Sequence, residues 1–255
     1  MRIATWNVNS IRIRIDAVVD WIRRLEPDVL CMQETKVVDD DFPTEELQRL
    51  GYAVAMAGQK TYNGVAIASR LPLRDVRVGL SNGEGDADKR LISASAGGVR
   101  VLSAYIPNGK SVGSPSFAQK LAFFTRLGST LEAQAPDRRG VVLCGDFNVA
   151  PDERDVFDPA RMRGQLHFHP DEHRALGELM DFGLRDAYRL HHPEAGRFSW
   201  WDYRGAGLQK NEGLRIDLVL LSHDLAARCT RAEIDDAERH KDKPSDHAPV
   251  LVDIG

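Results

Sequence analysis

The sequence has little that points to secretion, membrane insertion or bulk attraction to nucleic acid. Cysteine is scarce, with only Cys31, Cys144 and Cys229 in 255 residues. An odd number in a chain of this length excludes a simple disulfide framework, and no zinc-type spacing is present. Cys31 and Cys144 lie in apolar runs and are expected to be buried thiols in a reducing, cytoplasmic setting. No run approaches the ~20 apolar residues that span a bilayer, so no membrane partner is expected. The segment Met1 to Asn7 moves straight into a strand pattern, without the basic and apolar regions of a signal peptide. Excess positive charge is also missing: 34 Lys+Arg stand against 38 Asp+Glu, a formal charge of -4. Capture of nucleic acid by bulk charge is thereby excluded, and a phosphate-reading site must be a local patch or use a metal ion.

The chain does have the composition of a folded domain. Hydrophobic residues make up 42% and charged residues 28%, which leaves little room for extended disorder. Short apolar runs predict strands over 3–6, 28–34, 52–56, 64–69, 91–96, 99–106, 141–145, 215–221 and 248–254. Helical spacing predicts one helix through Ile15, Val18, Val19, Ile22 and Leu25, closed by Pro27. A second carries Phe117, Leu121, Phe124, Leu127 and Leu131 after the start signals Ser114 and Pro115. A third opens at His169-Pro170-Asp171-Glu172 and stops near Gly183. Loops are expected over 39–44, 81–88, 107–115, 151–167 and 232–245. With no repeat and no linker composition, residues 1–255 read as one α/β domain with two packed sheets.

The chemistry-bearing residues fall at strand ends. Asn7 follows the first strand and Glu34 closes the second buried one. Asp146 and Asn148 follow Val141 to Gly145, Asp217 heads a strand, and Asp246-His247 precede the last. Asp146 and Asn148, two apart in extended backbone, face one side. Carboxylates and amide oxygens without Cys or paired His suit a hard cation such as Mg²⁺, with Mn²⁺ as a substitute. Each feature alone has a bland explanation: a solvated strand end for Glu34, an Asx turn for Asp146 to Asn148, turn chemistry for Asp246 before Pro249. Their recurrence in four separate strand-end contexts is what argues for a site. Two apparent signals are set aside. The spacing of His167, His169 and His173 is broken by Pro170, and Gly83-Glu84-Gly85 lacks the Lys-Ser/Thr of a phosphate cradle.

Several segments resemble the exonuclease III family of apurinic/apyrimidinic (AP) endonucleases, within the endonuclease/exonuclease/phosphatase superfamily. They are Thr5-Trp6-Asn7-Val8-Asn9-Ser10, Cys31-Met32-Gln33-Glu34-Thr35-Lys36, Tyr62-Asn63-Gly64-Val65-Ala66-Ile67, Tyr105-Ile106-Pro107-Asn108-Gly109, Gly145-Asp146-Phe147-Asn148-Val149-Ala150, Arg215-Ile216-Asp217-Leu218-Val219 and Ser245-Asp246-His247-Ala248-Pro249. The Gln-Glu, Gly-Asp-Phe-Asn and Ser-Asp-His elements are common to the superfamily. The segments Tyr105 to Gly109, Phe198 to Arg204 and Gly213 to Asp217 resemble its DNA-repair branch. The resemblance implies a four-layer α/β sandwich like that of deoxyribonuclease I: two mixed β-sheets face to face, with helices outside.

It also implies a Mg²⁺-dependent hydrolase of the phosphodiester 5′ to abasic sites, with 3′→5′ exonuclease and 3′-phosphatase activity on duplex DNA. The expected partner is double-stranded DNA with abasic sites or blocked 3′ ends, bound by a monomer. The implied catalytic residues are Tyr105, Asp146, Asn148, Asp217 and His247. The implied metal-facing set is Asn7, Glu34, Asp146, Asn148, Asp246 and His247. DNA contacts are expected from Tyr62, Asn63, Asn108, Trp200, Leu214 and Ile216, the last three lining a pocket for an extruded sugar. Trp201 reads instead as core. Asn9 stands where some relatives have an aspartate, so an anionic ligand is not expected there. Two rivals are a phosphatase of the same superfamily acting on a small phosphoester or lipid headgroup, and a DNA-binding scaffold without activity.

Overall fold

The computed structural model describes residues 1–80 and 88–255. The Gly83-Glu84-Gly85 segment and most of the loop expected over 81–88 lie outside the described residues. Strands β1 (Arg2–Asn7), β2 (Val29–Gln33), β3 (Ala53–Ala57) and β4 (Val65–Ser69) come first. Next are β5 (Arg74–Val78), β6 (Leu91–Ala96), β7 (Val99–Tyr105), β8 (Val141–Asp146), β9 (Leu184–Asp186) and β10 (Asp217–Ser222). The chain then returns to the first sheet with β11 (Cys229–Ile234) and β12 (Val250–Ile254). The sheets have six strands each, in the orders β11-β12-β1-β2-β4-β3 and β5-β6-β7-β8-β10-β9. Each is mixed: β1/β2 and β7/β8 are parallel, and the other pairs are antiparallel.

Alternation along each central strand decides the layers. Val29 and Cys31 of β2 face the second sheet, where they meet Val101, Val142, Cys144 and Val219. Leu30 and Met32 point outward against Val18, Trp21 and Ile22 of the helix Ile11–Leu25. On the far side, Val141 and Leu143 of β8 pack under Phe124, Leu127 and Leu131 of the helix Pro115–Gln134 and Leu176 of the helix Pro170–Met180. The result is helix, sheet, sheet, helix, the expected four-layer sandwich. Cys31 and Cys144 are buried free thiols, as expected.

The predicted strands are all present within two residues at each end. The first helix begins at Ile11, earlier than its apolar spacing indicated, because Ile11 is itself buried. Ser114 caps the long helix by accepting from the Phe117 N–H, and His169 with Glu172 forms a capping box on the third. Three strands were not anticipated. β5 is exposed along its whole length, so it shows no alternation, and β9 has three residues. β11 replaces the start of the loop expected over 232–245 and extends the first sheet at an edge. Short helical turns at Asp39–Asp41, Glu153–Asp155 and Pro159–Met162 interrupt two other expected loops.

Candidate active site

The two sheets deliver their polar strand ends to one rim. In the second sheet, Asp146 lies opposite Tyr105 on β7 and opposite Asp217 on β10, so three reactive side chains form one row. In the first sheet, β1 ends at Asn7 and its parallel neighbour β2 leads into Glu34. Ser245 ties the approach to β12 onto β1: its hydroxyl donates to the Asn7 carbonyl at 2.6 Å and accepts the His247 N–H at 3.2 Å. Gly145 lets β8 pass β7 this closely. Its φ is +145° and a Cβ there would meet the Ala104 carbonyl oxygen at 1.8 Å.

Ligand atoms of Glu34, Asp146 and His247 all lie within 4.8 Å of one another. The Asn7 amide braces the two acids, donating to Glu34 at 2.8 Å and to Asp146 at 3.0 Å. His247 Nδ1 lies 2.8 Å from Asp217, and its Nε2 faces Asp146 at 3.7 Å. Trp6 Nε1 donates to the His247 carbonyl at 3.1 Å, and Ser199 Oγ accepts from the Asp217 N–H at 3.0 Å.

Burial and charge set the protonation states. Asp146 is fully buried, and with Asp217 and Glu34 beside it its pKa is pushed up to about 7, against the pull of His247 and Asn7. Burial alone would lower the His247 pKa, but Asp217 and Asp146 raise it to about 10, so the ring is an imidazolium at neutral pH. Burial would raise Glu34, yet Lys36, Asn7 and His247 hold it below the usual carboxylate range. Burial, then Glu34 and Asp146, push the Tyr105 hydroxyl well up, keeping it protonated.

Other expected site residues stand one step away. Burial works against ionisation of Asp246, but His247, Asn9 and Trp200 hold its pKa low. Its two oxygens accept from Asn9 at 2.8 Å and from Trp200 Nε1 at 3.1 Å. Asn148 donates from Nδ2 to the Ile106 carbonyl at 3.0 Å and accepts from Asn108 at 3.2 Å. Tyr62 is exposed, while Asn63 bonds Gln59 and sits behind Lys36 through a backbone bond. Trp200 and Leu214 border a cavity of about 510 Å³ together with Phe157, Met162 and His167, and Ile216 packs in the same apolar cluster. Trp201 is buried and is part of the core, as expected.

Sequence reasoning missed several participants. Lys36 bonds Glu34 at 2.8 Å and Asn9 at 2.5 Å. Its only signal was adjacency to Gln33-Glu34. An amide at Asn9 can donate to Asp246 while accepting from Lys36, which an aspartate could not do. His167 was set aside as part of a false zinc cluster, and the three histidines indeed diverge. His167 bonds the Asn148 carbonyl, His169 caps a helix and His173 reaches the Ala150 carbonyl. His167 nevertheless belongs to the site region, between Asn108 and the Trp200 ring. Desolvation and Lys120 pull its pKa down to about 3, so it is neutral.

The donors fit a hard divalent cation. Glu34 and Asp146 converge as oxygen ligands, and Asp146, its pKa raised first by burial and then by the neighbouring acids, would gain from a cation beside it. His247 fits a different part: as an imidazolium it has no free lone pair, so it serves as a donor to an anion.

Residues 4–247 match the Endonuclease/Exonuclease/phosphatase family. The chain belongs to this family. Exodeoxyribonuclease III of Haemophilus influenzae is 36% identical over 266 residues, covering 100% of both chains. Among solved structures, the 3′ phosphatase NExo from Neisseria, bound to a product DNA hairpin, is 40% identical with a TM-score of 0.98, covering 100% of this chain and 99% of that one. An AP endonuclease from Archaeoglobus fulgidus is 38% identical with a TM-score of 0.95 over the same shares. The fold is therefore that of the family's AP endonucleases, and the deoxyribonuclease I-like sandwich is established. The relatives named here are nucleases and a 3′ phosphatase, and an acid–imidazolium centre suits cleavage of a phosphoester.

Proposed function

We propose that this chain is a divalent-metal-dependent DNA-repair nuclease, hydrolysing the phosphodiester 5′ to abasic sites and clearing blocked 3′ ends of duplex DNA. One observation carries the reading: Glu34, Asp146 and the Asp217-paired His247 converge at a single rim position. The nucleic-acid substrate, over a lipid or small phosphoester, is supported by the cavity next to that rim, where Trp200, Leu214, Phe157 and Met162 form an apolar side and Arg161, Arg204 and Lys210 stand among the charged residues around it. An apolar wall accepts a baseless sugar and offers nothing to an intact base's polar edge.

In this reading Asp146, whose carboxylate is buried and has its pKa raised to about 7, takes or orients the attacking water. The His247 imidazolium donates from Nε2 to a non-bridging phosphate oxygen, with Asp217 fixing the ring through Nδ1. Tyr105 remains protonated and is positioned to donate to the phosphate or the leaving oxygen. Asn148 and Asn108 present neutral amides to the phosphate backbone, as suits an acidic protein. Glu34 and Asp146 would hold Mg²⁺, or Mn²⁺ in its place, which supplies charge neutralisation at the phosphoryl oxygens. Asn7 acts as their brace and Asp246, tied to Asn9 and Trp200, as a more distant acid. Tyr62, Asn63 and Ile216 complete the proposed DNA-facing set. A monomer of one domain over 1–255, acting in the cytoplasm, belongs to the same reading, which the two buried free thiols support.

Processing of 3′ ends without incision at internal abasic sites is the second reading, favoured by His167. Its ring borders the cavity 6.4 Å from the Trp200 ring, where an extruded sugar would have to fit. One labelled duplex assay tests both. A single tetrahydrofuran site and, separately, a 3′-phosphate nick are incubated with and without Mg²⁺. Cleavage of both only with metal supports the first reading, removal of the 3′-phosphate alone supports the second, and turnover of neither, or turnover without metal, sinks both.

A further inference from the structure

Behind the rim lies a fully buried ammonium. Lys120, on the helix Pro115–Gln134, and Glu172, on the helix Pro170–Met180, both have zero exposure and form an ion pair. The other two partners of the ammonium are main-chain carbonyls, Asn148 at 2.6 Å and Asn108 at 3.2 Å. These carbonyls belong to different loops, one after β8 and one after β7. The same two residues meet through their side chains, Asn108 Nδ2 donating to Asn148 Oδ1 at 3.2 Å. Asn148 is held in left-handed backbone, φ +52°, and its carbonyl also receives His167 Nδ1 at 2.6 Å. Gly109 makes room for the lysine stem, since a Cβ there would lie 3.1 Å from Lys120 Cδ.

We propose that Lys120 is a positioning residue for the reaction: its ammonium, neutralised by Glu172, clamps the two loops so that the amides of Asn108 and Asn148 face the scissile phosphate together. The inference rests on the nuclease reading given above. Folding alone does not ask for this pair, because an apolar pair of similar size fills such a space as well or better. A lysine that spends two of its three donors on carbonyls of two rim loops does something an apolar residue cannot.

The test compares Lys120→Met with the double variant Lys120→Met/Glu172→Leu. The single variant strands a buried carboxylate and should lower Tm; the double variant removes that penalty and should recover most of it, short of the helix cap that Glu172 gives His169. Turnover separates positioning from packing. In both variants kcat per folded molecule should fall about a hundredfold, the scale of a misplaced group. A double variant that recovers both Tm and kcat overturns the proposal. Side-chain amide resonances of Asn108 and Asn148 provide a readout independent of activity, and they should shift in both variants. If the wild-type protein turns over neither duplex substrate, the nuclease reading fails and these resonances decide the clamp: unchanged resonances overturn it. Should neither variant fold, the wild type carries the test, through couplings across the hydrogen bonds from the Lys120 ammonium to the two carbonyl carbons. Their detection supports the clamp and their absence overturns it.

Discussion

His247 Nδ1 and Asp217 Oδ2 lie 2.8 Å apart, both buried, Asp217 heading β10 of the second sheet and His247 in the segment that leads into β12 of the first. The carboxylate does two things to the ring: it fixes which nitrogen faces the rim and keeps that nitrogen protonated. Asp217→Asn preserves shape while removing the charge, so the ring should lose its proton at neutral pH. With the His247 pKa raised to about 10, the charge-linked stability of this pair is full below the ordinary value of 6.5 and is lost as pH rises through 10. Wild-type turnover should therefore persist into alkaline solution. In Asp217→Asn, kcat should fall about 10²–10⁴-fold, and the alkaline limb should move to lower pH. A pH–rate profile checks this; an unmoved alkaline limb would detach His247 from the phosphate.

Asp146 should be replaceable without harm to the fold. Its carboxylate is desolvated and faces two other acids, so the charge is a burden on the native state. Asp146→Asn should abolish cleavage of an abasic duplex with Mg²⁺ present, while Tm stays level or rises. Thermal unfolding beside the cleavage assay reads both quantities, and near-normal turnover would remove Asp146 from the mechanism.

Metal binding should depend on pH with a definite sign. An acid whose folded pKa rises to about 7 holds its proton more tightly folded than unfolded, so its contribution to stability declines as pH climbs from the unfolded value, near 4, through 7. A cation needs the deprotonated form. Mg²⁺ should accordingly raise Tm more at pH 8 than at pH 5, because the stabilising free energy, RT ln(1 + [L]/Kd), grows as Kd falls. A scan of Tm against Mg²⁺ at both pH values checks this, and an equal rise would place the cation away from Asp146.

The site was legible where a polar residue stands just before or just after an apolar run. Asn7, Glu34, Asp146, Asp217 and His247 all stand at strand ends, and strand pairing brings such ends to one rim. The sandwich was legible for the same reason, since β1, β2, β7, β8 and β10 are buried runs. Exposed edges were not: β5 has no buried face to impose alternation. Lys120 was invisible because a buried lysine looks like a solvated one until its partner, 52 residues away, is placed against it. It also shifts the buried stripe of its helix, which includes Lys120 and Phe123 while Leu121 is only half-buried. The rejection of a shared ligand at His167, His169 and His173 holds, since each serves a different backbone group, but a place for His167 beside the cavity had no signal in the sequence.

A buried arginine behind the cavity should matter for stability more than for chemistry. Arg215 is fully buried between Asp155 and Asp186, bonding them at 2.6 Å each, and Arg189 also reaches Asp155. Arg215→Met leaves the fully buried Asp155 with Arg189 as its remaining cation and strips Asp186 of its ion pair. Loss of one partner of such a pair costs about 3–5 kcal/mol. Denaturant unfolding should show that loss, while kcat of the remaining folded protein changes little, because no Arg215 atom bonds a rim residue through its side chain.

Trp200 joins the cavity to the acids, and its two jobs can be separated. The ring forms part of the apolar wall, and Nε1 donates to Asp246 at 3.1 Å. Trp200→Phe keeps an aromatic wall and drops the hydrogen bond; Trp200→Ala drops both. If the wall receives an extruded sugar, Trp200→Ala should reduce abasic-site incision more than 3′-phosphate removal, because only the first substrate needs the wall. Trp200→Phe should then affect the two substrates alike, through a loosened Asp246 whose remaining bond comes from Asn9. The loss in the phenylalanine variant should be about tenfold or less, the scale of one hydrogen bond to a charged group that keeps another partner. The ratio of kcat/KM values on the two duplexes is the measurement. If Trp200→Ala lowers both equally, the cavity wall plays no part in choosing the lesion, and the tryptophan acts only by holding Asp246.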